Sequence, residues 1–469
     1  MITFFRANTF FHVFSILVVL LLFKMLYILN VLPVLNTELE WMLIGERLNS
    51  DKSLYSEIWT NTGPLSSYFY GLVHFLLGRG QFYQEIVAFC ILFVQTILFT
   101  LVVNNNKAYA ERNYLPGLFY AVAVSLSFDA NKLSPALLAT TFLLLAINSI
   151  FRHIDNNDGS SEPVFEMGLF LGIGSLFWYP FPVFLVWALL SLIMFTPVKF
   201  NQILLLVLGF VLPAFITILF FYLTGSFDEF YAFWIQKGIS LEFFKRIEVF
   251  EVLLVYGLPI LLSIFGMFKV FTNSRYSNFQ NRKQQIIVLS GIFALVAFFF
   301  SDNLATYQLL SLSPFLAFFM AGYFLHIKGT AFPEILFLIF LGLVLTINNF
   351  GVSPFIGKGY SHLEDMRIEK ETEKSYIKGR SILITGPKNG DYFLAKSGSA
   401  YLNWNVSKFD LTNADIYESL INIDAVFQKE MPEFIIDNEQ VFPKIFRRIP
   451  ALSQRYERVE GTRNFRLKD

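Results

Sequence analysis

Carboxylates gather where this chain has little other reason to carry charge. The stretch NTELEWMLIGERLNSDKSLYSEIWTNTGPLSSYFYGLVHFLLG, residues 36–78, follows directly on an apolar run and holds Glu38, Glu40, Glu46, Asp51 and Glu57. A further acid, Asp129, stands in FDANKLSPALLATTFLLLA, just before another apolar run. A carboxylate at the boundary between apolar and aqueous surroundings can take a proton from an acceptor hydroxyl, or hold a divalent metal that does so. Glu38 and Glu40 are two residues apart, so on a helix they diverge by about 200° and only one of them can face a given cavity. An anionic reactant beside them needs a cation or a helix N-terminus, and Lys132, Lys237, Lys245 and Arg246 are the basic groups available for it. Each position also has a plainer use. The loop acids can form a solvated face, and Asp129 can cap the helix that starts near Lys132.

A membrane bundle must position these groups. Of 469 residues, 55% are hydrophobic and 15% charged, with 57 Phe, the composition of an integral membrane protein rather than a soluble domain. The formal net charge is +0, so no global basic surface points to nucleic acid. The single cysteine, Cys90, lies in an apolar run and excludes an intrachain disulfide framework. His74 and His153 have no companions at metal-ligand spacing. The first apolar run is too long for a signal-peptide core and lacks a small-residue cleavage site, so it reads as a retained span.

Apolar runs at 10–32, 84–103, 114–127, 133–151, 164–178, 180–195, 202–223, 249–271, 286–300, 304–326 and 331–350 predict eleven transmembrane helices. A twelfth run, 64–78, is short, contains His74 and follows Gly63-Pro64, which suits an amphipathic helix lying on the membrane. That assignment puts Arg6, Lys107, Arg112, Arg152, Lys199, Lys269, Arg275, Arg282, Lys283 and Lys328 on one side, which the positive-inside rule makes cytoplasmic. The N-terminus is then cytoplasmic, and segments 33–83, 128–132, 178–182, 224–248, 301–306 and everything after 350 face outward. The tail changes character. SILITG, EFIID and YERVEGTRNFRLK read as strands and NADIYESLINIDAVFQKE as a helix, so a small extracytoplasmic α/β domain, 351–469, is expected after a transmembrane domain, 1–350.

The order of residues along 36–78 resembles the first extracytoplasmic loop of the GT-C superfamily of membrane glycosyltransferases, which includes the protein mannosyltransferases and the aminoarabinose transferases of lipid A. Glu38 and Glu40 stand where that family has its acidic motif, Gly63-Pro64-Leu65 matches its Pro-Leu element and Leu77-Gly78 the end of it. The Asp129 segment, SLSPFLAFFMAGYF late in the bundle and the α/β tail extend the likeness. The resemblance implies a GT-C-like α-helical bundle that moves a sugar from a polyprenyl-phosphate carrier to an envelope acceptor on the outer face of a bacterial cytoplasmic membrane. It implies Glu38 as first choice for the base with Glu40 as the alternative, Asp129 as partner carboxylate, and Lys132, Lys237, Lys245 and Arg246 for the donor phosphate. An outward cavity is expected between 33–45 and 128–132, roofed by the 64–78 helix. A divalent metal is compatible with this chemistry, and no metal motif marks one. The alternative is a catalytically inactive GT-C scaffold that holds envelope protein partners, since ATYQLLSLSP, 305–314, offers Tyr307 and Gln308 but no cation. A transporter is disfavoured by the scarcity of charges within the spans, Lys24 and Glu251 lying near span ends.

Overall fold

The computed structural model describes residues 1–6, 11–29, 34–155, 160–236, 249–273, 276–301, 304–327, 329, 331–350, 368 and 375–468. All eleven apolar runs are helical. After the short α1 (Ile2–Phe5) come α2 (Phe11–Leu29), α5 (Gln81–Asn105), α6 (Leu115–Ala123), α7 (Pro135–Asp155), α8 (Glu162–Phe177), α9 (Val183–Phe195) and α10 (Phe200–Leu223). A short α11 (Phe227–Phe230) precedes α12 (Val249–Phe271) and α13 (Asn278–Phe299). A 3-10 helix, Thr306–Leu312, runs into α14 (Ser313–Leu325), and α15 (Ala331–Phe350) follows. Lipid offers the backbone no hydrogen bonds, so apolar runs of this kind satisfy their peptide groups internally as helices. Among the described residues six helices have both the length and the apolar composition to cross a membrane, which makes the chain a multi-pass membrane protein.

The run expected at 114–127 is helical only to Ala123. Beyond it Ser125, Ser127 and Asp129 crowd six residues with side chains that compete for backbone hydrogen bonds, and the chain turns into a one-turn 3-10 helix, Asp129–Asn131. Elsewhere the bundle closes through small residues. A Cβ on Gly168 of α8 would strike the Leu206 carbonyl of α10, and one on Gly172 the Phe210 carbonyl, a backbone-on-backbone approach typical of membrane helices.

The chain separates into two compact units, one made of Met1–Leu32, Gln84–Ile218 and Leu241–Leu363, the other of Pro33–Tyr83, Leu219–Ser240 and Glu364–Asp469. Within the first, contacts sort the helix ends. At one end the Met1 ammonium meets Glu334 at 2.5 Å, the Tyr114 N–H donates to the Phe5 carbonyl at 2.9 Å, Gln280 donates to the Lys107 carbonyl at 3.0 Å, and Lys283 pairs with Asp155 at 2.5 Å. At the other, Glu85 lies 3.8 Å from Lys24 and 3.1 Å from Lys132. So α2 begins where α5 ends, and Lys24 of α2 meets Glu85 of α5 at the opposite end. In this unit the chain therefore leaves α2 and re-enters α5 at the end marked by Glu85. A reporter active only outside the cytoplasm, fused after Gly80 or Leu363, is expected to be active, and fused after Asn278 to be silent. Activity at 278 would overturn the assignment of the basic end to the cytoplasm.

In the second unit, α3 (Asn36–Leu48) and α4 (Pro64–Leu77) precede a five-stranded sheet of order β2-β1-β3-β5-β4. Strands β1 (Ser381–Thr385), β2 (Lys396–Ser397) and β3 (Phe434–Asp437) are parallel, and β4 (Tyr456–Arg458) and β5 (Phe465–Leu467) form an antiparallel hairpin. The run YERVEGTRNFRLK is therefore two strands about a turn at Gly461, whose φ is +73°. Ile382 to Ile384 and Phe434 to Ile436 are buried as their β-branched, turn-bounded pattern predicts. Helices α16 (Trp404–Thr412), α17 (Tyr417–Lys429), α18 (Phe442–Arg448) and α19 (Pro450–Arg455) complete it. Trp59 is buried in the same apolar core as Leu383, Tyr401, Phe427, Ile435 and Phe442. Its N–H donates to the Ala400 carbonyl at 2.9 Å, and its carbonyl accepts from Asn403 at 3.2 Å. The loop before α4 and the tail thus share one core.

Candidate functional site

Helix α3 places the acidic motif. Glu38 in its first turn and Arg47 in its last complement the helix dipole. Glu38 is 1% exposed, and its Oε2 accepts from the Leu35 N–H at 3.4 Å, the geometry of a carboxylate closing back on the start of its own helix. Glu40, two residues on, faces elsewhere. Its Oε1 accepts from the Thr60 hydroxyl at 3.1 Å and the Asn403 amide at 2.7 Å, and it is half-buried. Both of these donors are neutral and fix the direction of the carboxylate.

The solvated-face reading fails for two other acids of this loop. Glu46 pairs with Arg79 at 2.8 Å, and Arg79 also donates to the carbonyls of Ala395, at 3.0 Å, and Tyr392. Glu57 accepts from Lys52 at 3.4 Å and from the Ser53 N–H at 3.0 Å. Burial pushes the Glu57 carboxyl up, but the Ser53 N–H and the Lys52 ammonium outweigh it and hold the group below the usual range. Arg47 is buried and donates to both oxygens of Glu430, at 3.0 and 2.7 Å, and to the carbonyls of Ser397 and Glu57, at 3.1 and 3.0 Å.

In the first unit, Asp129 is not the cap of the next helix, which begins at Pro135 with Ser134 Oγ accepting from the Leu137 N–H at 3.2 Å. It accepts instead from the Ser127 hydroxyl at 2.7 Å, the Tyr307 N–H at 3.0 Å and the Thr306 hydroxyl. It is 1% exposed, and burial raises its carboxyl above the ordinary range against the opposing pull of these donors. The 128–132 turn and the Thr306–Leu312 helix are thereby joined. Lys132, at the end of the turn, is buried and bonded to Glu85. Lys237, Lys245 and Arg246 lie outside the described residues. Among the described residues no group of three His, Cys, Asp or Glu side chains could hold a metal ion.

Sequence reasoning passed over Glu85, Thr306 and Arg47. Glu85 had a signal, a carboxylate within the first turns of a predicted span, which is costly unless paired. Thr306 and Arg47 had none, since their partners lie 177 and 383 residues away.

No protein-family model and no curated protein matches the chain. Among solved structures it is similar to ArnT from Cupriavidus metallidurans bound to undecaprenyl phosphate, at 12% identity and a TM-score of 0.49, covering 69% of this chain. The chain spans 62% of the length of that ArnT. It is also similar to the oligosaccharyltransferase AglB from Archaeoglobus fulgidus in complex with an inhibitory peptide and a dolichol-phosphate, at 10% identity and a TM-score of 0.49, covering 96% of this chain and 73% of that one.

Proposed function

We propose that this protein is a GT-C-like glycosyltransferase that moves a sugar from a polyprenyl-phosphate carrier to an envelope acceptor on the outer face of a bacterial cytoplasmic membrane, with its N-terminus cytoplasmic and residues 351–469 periplasmic. The observation that carries this reading is the 128–132 turn, where a buried carboxylate, Asp129, and a buried ammonium, Lys132, stand three residues apart at the end of the bundle from which segment 33–83 leaves and to which it returns. A phosphate-linked donor needs a cation, and this reading assigns that part to Lys132, which Glu85 holds at 3.1 Å and would have to share with the phosphate. Of the motif acids, Glu40 suits the base: it is half-buried and oriented by Thr60 and Asn403, whereas Glu38 is 1% exposed and closes its own helix. The base takes the acceptor hydroxyl proton as the oxygen attacks the sugar carbon, and the polyprenyl phosphate leaves with the bonding pair.

A second reading has an observation of its own. Glu38 and Asp129 both spend their oxygens on protein donors, as they would in a bundle kept as an inactive scaffold for envelope protein partners. Lipid-linked and polymeric glycans compared between wild type and a strain lacking the protein separate the two. A transferase is expected to leave one lipid-linked sugar accumulated and one acceptor unmodified. An unchanged glycan profile alongside a clear envelope defect would favour the scaffold.

A further inference from the structure

Helices α16 and α17 meet through a polar tie, the Asn422 amide donating to Asp410 at 3.1 Å. The residues that follow these two, Leu411 and Ile423, enter the apolar core of the tail at 1 and 0% exposure. The residues that precede them, Phe409 and Ile421, lie about 200° round their helices and so point away from that core. They are 56 and 51% exposed. Tyr417, one turn before Ile421 on the same face, is 77% exposed, and Ile416 42%. Such a ridge, on the order of a few hundred Å², matches the largest apolar patch of a typical monomer, which often marks a contact site.

Its rim is acidic. Residues 404–425 hold Asp410, Asp415, Glu418 and Asp424 against a single lysine, Lys408. Asp415 pairs with Lys444 at 2.6 Å and Asp424 accepts from the Gln428 amide at 2.6 Å, while Glu418, in the first turn of α17, has no ion pair among the described residues. Burial raises the Asp410 carboxyl above its ordinary range against the pull of the Asn422 donor, and the nearby Glu418 carboxylate adds to the rise. Excess negative charge therefore surrounds the apolar ridge. Anionic lipid headgroups are repelled by it, and a second copy of the same ridge would bring like charges face to face. A surface that couples apolar side chains with lysine or arginine complements both features.

We propose that this ridge docks a partner protein through an apolar surface edged with lysine or arginine. Tyr417 is the anchor, since a protruding aromatic side chain offers a large contact area at little cost in rotamer freedom. The ridge involves neither Glu40 nor Asp129, so it stands or falls independently of the proposed reaction. The test is hydroxyl-radical footprinting of the full-length chain in membranes of its native cells, in detergent, and in nanodiscs of phosphatidylglycerol. Phe409 and Tyr417 are expected to be oxidised alike in detergent and nanodiscs and about fivefold less in native membranes, where a docked partner excludes water. About 1 M NaCl, which screens exposed charges, is expected to restore oxidation. The pair Glu418→Lys and Asp424→Lys, changes outside the core that should leave the thermal midpoint unchanged, is expected to do the same. A benzophenone side chain placed at Tyr417 is expected to cross-link to a protein in native membranes and to lose that adduct in the charge-reversed pair. Equal oxidation in all three settings, protection by the nanodisc lipid, protection in detergent that grows with protein concentration, protection that survives both salt and charge reversal, or the lack of a protein adduct would each overturn the proposal.

Discussion

Glu40→Gln is expected to lower sugar transfer from a polyprenyl-phosphate donor about a hundredfold, the scale of a lost general base, with folding retained. Glutamine keeps an oxygen to accept from Thr60 and Asn403, which hold Glu40 at 3.1 and 2.7 Å, so the local packing survives while the charge does not. Glu38→Gln tests the contrasting role. Its loss is a loosened helix start, about 1 kcal/mol of stability, and turnover of the folded fraction should change far less. Glu57→Gln removes a carboxylate spent on Lys52 and the Ser53 N–H and should leave turnover near wild type. Asp129→Asn belongs with Glu40, and acid dependence adds a check on it. Burial raises the Asp129 carboxyl above its ordinary range, so it protonates at a higher pH than an ordinary aspartate, and activity lost through it should begin to fall before a normal carboxylate would titrate. Rates measured with purified protein in liposomes decide the point. If Glu38→Gln, Glu40→Gln and Asp129→Asn all leave the in vivo phenotype intact while deletion of the protein does not, the scaffold reading stands.

Glu430→Ala is expected to destabilise the protein by about 3–5 kcal/mol, the cost of leaving a buried charge without its partner. The asymmetry of the pair makes this specific. The Arg47 side chain is 5% exposed and that of Glu430 27%, so removing Glu430 leaves a mostly buried guanidinium with the Ser397 and Glu57 carbonyls in place of a counter-charge, whereas Arg47→Met leaves a carboxylate that can hydrate and still has Lys52 at 3.9 Å. Arg47→Met should therefore cost less, about 1–3 kcal/mol for its lost charged hydrogen bonds. In thermal scans of the detergent-solubilised chain the first substitution should lower the midpoint by roughly 10 °C and the second by roughly half of that. The reverse order would show that packing of the arginine stem, not its stranded charge, dominates.

Much of this molecule follows from local pattern. Apolar runs become helices because a peptide group in lipid has no partner except its own chain, and all eleven did so. Short β-branched runs such as Ile382–Ile384 became buried strands for the analogous reason that their side chains suit a covered sheet. Charge placement in loops anticipated which helix ends lie together, because lysine and arginine near span ends are sorted by side, and the contacts of Met1, Tyr114, Gln280 and Lys283 agree.

Pairing between distant residues was decided only by the tertiary structure. No periodicity in the sequence says that Asp129 is held by Thr306, that Trp59 enters the core built by Leu383 and Phe427, or that Arg47 finds Glu430. Glu38 was the first choice for the base with Glu40 as the alternative, and what distinguishes their surroundings is a neighbour: the Leu35 N–H for one, Thr60 and Asn403 for the other. The sequence by itself determined that the chain is a membrane bundle with an α/β tail, since burial and hydrogen-bond satisfaction act over a few residues at a time. Which acids serve structure and which remain for chemistry depended on donors brought from hundreds of residues away, and a carboxylate's role is set by the groups around it rather than by its own side chain.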